Sequence, residues 1–244
     1  GNAAFSSDGS LIALADRSQQ TLVLWDVNDQ AVVASVSGLQ TGYLEFSQDD
    51  QVLFTLPHDF SPLAWDVNAL RAASEPIMLP GFNEDAACLE HLKTLPVVTV
   101  LPVGGVTALA LHPDDPQSIL IYGFEGVIHK IDTRTGEEKL AIPYWTNVTF
   151  SDAYFVFNPD ASLIAGGRCS ETPAGGYCTE SDMQVFNAET GESLFKTTRD
   201  YDHINRAAFT PDGRWLLTGH TPLYGMMYGP LRDNNIHIWG INAP

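Results

Sequence analysis

Phe5-Ser-Ser-Asp-Gly-Ser-Leu-Ile-Ala-Leu-Ala-Asp-Arg-Ser-Gln-Gln-Thr-Leu-Val-Leu-Trp-Asp26 reads as strand, tight turn, strand, turn, strand. Phe5 closes one strand. Ser7-Asp8-Gly9 is turn chemistry, because an aspartate can accept from its own backbone two residues on and glycine tolerates positive φ. Leu11 to Ala15 is a short apolar run with no room for a helix. Thr21 to Trp25 is rich in strand-forming residues, and Asp26 ends it.

The same landmarks return along the chain. Phe46-Ser-Gln-Asp-Asp50 leads to Trp65-Asp66, and Leu111-His-Pro-Asp-Asp115 to Ile131-Asp132. Phe157-Asn-Pro-Asp-Ala161 leads to Phe186-Asn187, and Phe209-Thr-Pro-Asp-Gly213 to Trp239-Gly240. From leading apolar residue to the Trp-like position the span is 20, 19, 20, 29 and 30 residues in the five copies. Two copies therefore carry extra residues in one place, between their second and third strands, as inserted loops on a fixed frame do. A fourth strand is expected after the Trp-like position, at Ala31 to Val36, Glu138 to Ile142 and Ser193 to Thr197; the last two follow Thr-Gly-Glu turns. Four short strands at this period describe a propeller blade.

These residues resemble the WD40 repeat family: Phe-Ser-Pro-Asp-Gly turns, Trp-Asp at the end of a third strand, then a Thr-Gly-Glu turn. The resemblance implies an all-β propeller with five recognisable four-stranded blades starting near residues 3, 43, 106, 153 and 206. The last blade lacks a fourth strand of its own, and the expected parent has six or seven blades. Asp8, Asp49, Asp114, Asp160 and Asp212 are then structural turn residues. No Gly-His dipeptide precedes each first strand, and Trp-Asp stands only at Trp25-Asp26 and Trp65-Asp66. The family's buried Asp-His-Ser/Thr-Trp network is thus not expected, and blade rigidity falls to apolar packing.

Between Asp66 and Leu111 the frame is interrupted by about 25 extra residues, too few for another blade. The insertion is placed within 71–96, with a short helix over Asp85 to Leu95. The second blade's fourth strand is either Pro76 to Leu79 or Val97 to Val103; the second fits better, because strand, turn, strand then follows.

The 244 residues are 44% hydrophobic and 17% charged, enough for a real core, and the net charge is −18. Such acidity repels phosphate backbones, so nucleic acid is not an expected partner. Leu95 to Leu111 carries no charge, but Pro96, Pro102, Gly104 and Gly105 divide it into strand-length pieces, which excludes a membrane span. Of three cysteines, Cys169 and Cys178 flank a turn-rich insert and are expected to close it as a disulfide, which favours an extracytoplasmic or secreted setting; two free thiols are the alternative.

No nucleophile elbow, zincin helix, phosphate loop or dinucleotide fingerprint is present, and no cofactor is expected. The seven histidines are dispersed. The sharpest functional lead is the pair of long loops, Arg168 to Asp182 and Gly219 to Asn235, expected side by side in neighbouring blades. Tyr177, Tyr224, Met226, Met227 and Tyr228 are the candidate contacts, since aromatic and methionine side chains are enriched at interfaces. The expected function is a non-catalytic scaffold that docks a protein partner or neighbouring domain. A propeller enzyme or ligand-binding module with a site at the channel mouth, and a surface sensor or adhesion module, are the alternatives.

Overall fold

The structure is a computed structural model that describes residues 2–57, 61–80, 86–144, 154–171, 180–200, 202–222 and 236–241. The chain folds as two compact units: Gly1–Val106 with Pro116–Ser118 and Ile131–Glu138, and Thr107–Asp115 with Ile119–Lys130 and Lys139–Pro244.

The first sheet is an antiparallel meander of β1 (Asn2–Phe5), β2 (Leu11–Asp16), β3 (Thr21–Asp26) and β4 (Ala31–Ser37). The second sheet contains β5 (Thr41–Phe46), β6 (Val52–Pro57) and β7 (Leu63–Asp66). The chain then forms α1 (Val67–Ala72), β8 (Ile77–Met78), α2 (Ala86–Thr94) and β9 (Val98–Val100). β9 pairs with β7 and is the second sheet's fourth strand. The other candidate for that place, around Ile77, lies elsewhere: β8 runs parallel to β4, Val36 opposite Ile77, as a fifth strand of the first sheet. A one-turn excursion through α1 carries the chain back to that edge. Helix α1 was not foreseen from the repeat; Asp66 caps it, its carboxylate accepting from Ala69 N at 2.8 Å.

One core serves both of these sheets. Leu11, Ala13, Leu22 and Leu24 of the first sheet meet Phe46, Leu53, Leu63 and Trp65 of the second, and Leu70 of α1 with Leu79 and Leu92 from the insertion join them. Alternation at period two puts each row on one face, and each buried aliphatic side chain contributes about 1.5–3 kcal/mol.

The third sheet has the order β10 (Val106–Leu111), β11 (Ser118–Gly123), β12 (Val127–Asp132), β13 (Glu138–Pro143). The fourth contains β14 (Tyr154–Phe157), β15 (Leu163–Glu171), β16 (Glu180–Asn187) and β17 (Ser193–Asp200). The fifth contains β18 (Asp202–Phe209), β19 (Trp215–Pro222) and β20 (Ile236–Gly240). In the second unit Tyr122, Tyr144, Phe155 and Phe186 form an edge-to-face cluster with ring centroids 5.4–5.6 Å apart.

Four of the five sheets build their first turn alike. Ser6, Ser47, Asn158 and Thr210 donate to the carboxylates of Asp8, Asp49, Asp160 and Asp212 at 2.5–2.7 Å. Each of those four side chains also accepts the backbone N–H five residues on, at 2.8–3.1 Å. The third turn differs. There His112 Nδ1 accepts from Asp114 N at 3.2 Å and Asp115 N at 2.9 Å, so the imidazole is the acceptor that organises the turn.

Apolar packing is not the whole of blade rigidity. Trp65 Nε1 donates to Thr55 Oγ1 at 3.0 Å, with both residues buried, and Trp239 Nε1 donates to Thr218 Oγ1 at 3.0 Å. The threonine lies two residues beyond the residue paired with the tryptophan (Leu53 with Trp65, Leu216 with Trp239). Where Phe186 replaces the tryptophan, the matching position is Gly166; opposite Trp25 it is Leu14. Part of the hydrogen-bond network that the resemblance calls to mind is therefore present in two sheets, as the Trp–Thr bond.

Candidate functional site

The two long loops leave from equivalent places. β15 ends at Glu171 and β16 begins at Glu180; β19 ends at Pro222 and β20 begins at Ile236. Each pair is an antiparallel hairpin, and β18 packs along β14 and β15, so the fourth and fifth sheets are neighbours within the second unit. The β15–β16 ladder runs out to Glu171 opposite Glu180, with a register shift after Cys169. Such an irregularity bends the hairpin arm near its tip.

The root of the first arm is polar and buried. Asp182 lies in the core of the sheet, its carboxylate accepting from Thr198 Oγ1 at 2.7 Å and facing Lys196 Nζ at 3.0 Å. Ser181 beside it is fully buried. A carboxylate taken from water needs such partners. In the sequence Asp182 marks only the end of a long loop; its place opposite Thr198 is a cross-strand relation that spacing along the chain does not show. Under the second arm, Thr218 holds the Trp239 indole, His237 stacks on that indole at 6.0 Å, and Phe195 of β17 leans on it at 5.9 Å.

Tyr177, Tyr224, Met226, Met227 and Tyr228 lie outside the described residues. So does the proposed Cys169–Cys178 disulfide: only the backbone of Cys169 is described, and nothing among the described residues supports the pairing. Cys88 is buried in α2.

Among the described histidines, His112 organises its turn, His129 Nε2 lies 2.5 Å from Glu125 Oε1, and His237 stacks on Trp239. Among the described residues no three His, Cys, Asp or Glu side chains gather as a metal site, and no helix is long and apolar enough to cross a membrane.

Residues 193–240 match the family WD domain, G-beta repeat. The match opens at β17 and closes with β20, so it takes in the fourth strand of one sheet and three of the next. Two solved structures share the architecture over 98% of this chain. Kuenenia stuttgartiensis hydrazine synthase is 14% identical with a TM-score of 0.66, and this chain spans 62% of it. The Myceliophteria thermophila Cps50 (Swd1) beta-propeller domain is 14% identical with a TM-score of 0.58, and this chain spans 72% of it.

The chain has the all-β propeller fold, with a WD40 repeat at residues 193–240. No curated protein matches its sequence. WD40 propellers commonly mediate protein interactions and are typically non-enzymatic. At this identity the hydrazine synthase likeness speaks for the fold alone.

Proposed function

We propose that this WD40 propeller is a non-catalytic scaffold that docks a protein partner, or a neighbouring domain, through the loops joining β15 to β16 and β19 to β20. The observation that carries this reading is positional: both long connections leave adjacent sheets between second and third strands. Their roots are held rigidly, by Asp182 with Lys196 and Thr198 in one and by Thr218 with Trp239 in the other. A fixed base lowers the ordering cost of a loop that binds. Tyr177, Tyr224, Met226, Met227 and Tyr228 supply the contacts, apolar enough to gain from leaving water and polar enough at the tyrosine hydroxyls to orient a partner.

Replacing 223–231 by a Gly/Ser linker of equal length tests this. Proteins captured by the intact chain are to be lost by the variant, while its thermal unfolding stays within a few degrees. Capture unchanged by the replacement rejects the reading.

A further inference from the structure

Pro76-Ile77-Met78-Leu79-Pro80 lies on the first sheet as a peptide ligand would. β8 runs parallel to β4, with Ile77 opposite Val36 and Met78 opposite Ser37, and the Leu79 N–H donates to Ser37 O at 2.9 Å. Alternate side chains point to opposite sides, as on any strand. Leu79 is 5% exposed in the core that serves the first two sheets, and Ile77 packs against that core, while Met78 between them is 67% exposed. Gly38, at φ 84°, leaves the room in which the Leu79 carbonyl sits, since a Cβ there would stand 2.7 Å from its oxygen. Main-chain bonds to a sheet edge, with sockets for alternate side chains, are the two parts of peptide recognition by strand addition.

The hold is short. Only two residues of β8 pair with β4, and the flanking Pro76 and Pro80 are exposed and have no N–H to give. Among the described residues no strand pairs with Ala31 to Ser35 on that side of β4, where helix α1 is the neighbour. A partner strand that runs on along this edge makes ladder bonds that β8 leaves unmade, and a segment held by two residues opens at low cost.

We infer that this end of β4 is a seat for an extended peptide with aliphatic side chains at alternate positions, occupied in cis by residues 76–80. β8 is then an exchangeable strap, and a partner strand of the same chemistry takes its place. The chain's own segment states that chemistry: an isoleucine, an outward-facing residue and a leucine, running parallel to β4. The seat draws on neither of the long loops proposed to dock a partner.

The probe is a fluorescein-labelled peptide of residues 74–80. Its anisotropy is read against the 244-residue chain and against the double variant Ile77→Ser, Leu79→Ser, which empties the seat. A segment tethered in cis acts at an effective concentration on the order of millimolar, so the intact chain is expected to bind the peptide at least about tenfold more weakly than the variant. A peptide with serine in place of its isoleucine and leucine is expected to bind neither. Gly38→Ala in the variant background is expected to weaken binding by about tenfold, because the added Cβ meets the carbonyl of the docked leucine. If the double variant does not fold by circular dichroism, hydrogen exchange in the intact chain decides: exchange at the Leu79 amide is expected to accelerate as peptide is added to millimolar concentration. A folded variant that leaves the peptide unbound overturns the proposal. So does equal binding by the intact chain, equal binding of the serine peptide, binding indifferent to Gly38→Ala, or Leu79 exchange that no peptide concentration changes.

Discussion

Asp50 accepts two hydrogen bonds from Ser7, one from the backbone N–H at 2.8 Å and one from the hydroxyl at 2.6 Å. The pair ties the first turn of one sheet to the first turn of the next. Asp50 does this from the left-handed region, at φ 57°, where an L-residue is strained by about 1–2 kcal/mol. Asp50→Ala keeps the strain and loses the bridge, and is expected to destabilise by about 1 kcal/mol. Asp50→Gly loses the bridge but removes the strain, and is expected to leave stability nearly unchanged. Urea midpoints of the two variants check the pair; equal losses would show that the strain is not relieved by glycine.

Ala161 holds the same turn position at φ 57°, where the first and last sheets have Gly9 and Gly213. Its methyl makes no bridge like that of Asp50. Ala161→Gly is therefore expected to stabilise by about 1 kcal/mol, against the usual direction of such a change. A lowered thermal midpoint would contradict this.

Thr55 and Thr218 each satisfy a tryptophan N–H inside a sheet. Thr55→Val keeps the volume and leaves a buried donor unpaired, an expected loss of about 1–3 kcal/mol. Leu14→Thr, which places a hydroxyl at the matching position opposite Trp25, is expected to cost nothing or to stabilise slightly. Equilibrium unfolding of both variants separates this from general sensitivity at that strand position.

Acid should weaken the protein in two stages. Desolvation, with the nearby charge of Lys130, lowers the His112 pKa below 6.5. Its neutral ring is the form that accepts two backbone N–H groups. The stability it contributes is complete above 6.5 and is lost as pH falls through its lowered value. The turn carboxylates follow. The Ser10 N–H holds Asp8 below 3.8, the Ser162 hydroxyl holds Asp160, and the Thr210 hydroxyl holds Asp212. Their contribution is complete above 3.8 and is lost as pH falls through their lowered values. His112→Asn, copying Asn158, is expected to erase the first stage and leave the second. Thermal midpoints from pH 8 to pH 3 check it.

The turns and the strand count were legible in the sequence because both are local. An Asp-Gly pair or an alternating run carries its own instructions within six residues. The Thr55–Trp65 bond was not legible, since it joins neighbouring strands and depends on register. Helix α1 has a signal in the sequence, since Asp66 followed by Val67-Asn-Ala-Leu70-Arg71 is a capped, one-faced helical turn. The parallel pairing of Ile77 with Val36 lay beyond reach, because two residues carry no period and their partner strand is some forty residues earlier.

Gly38 tests that pairing directly. It sits at φ 84°, and a Cβ there would meet the Leu79 carbonyl oxygen at 2.7 Å. Gly38→Ala is expected to cost more than about 1 kcal/mol, from the backbone strain and from displacing backbone that cannot retreat. Hydrogen exchange at Leu79, whose N–H is held by Ser37 O at 2.9 Å, should accelerate in the same variant.

A repeat array is ordinarily modular: each copy can be deleted or exchanged at a cost confined to its own borders. The strand β8 breaks that rule at the start of this chain. Encoded after the second copy's tryptophan, it joins the outer margin of the first, and Arg71 of α1 pairs with Asp26 of the first sheet at 3.3 Å. The first two copies are therefore expected to melt together, and an engineer who wished to swap either would have to move both.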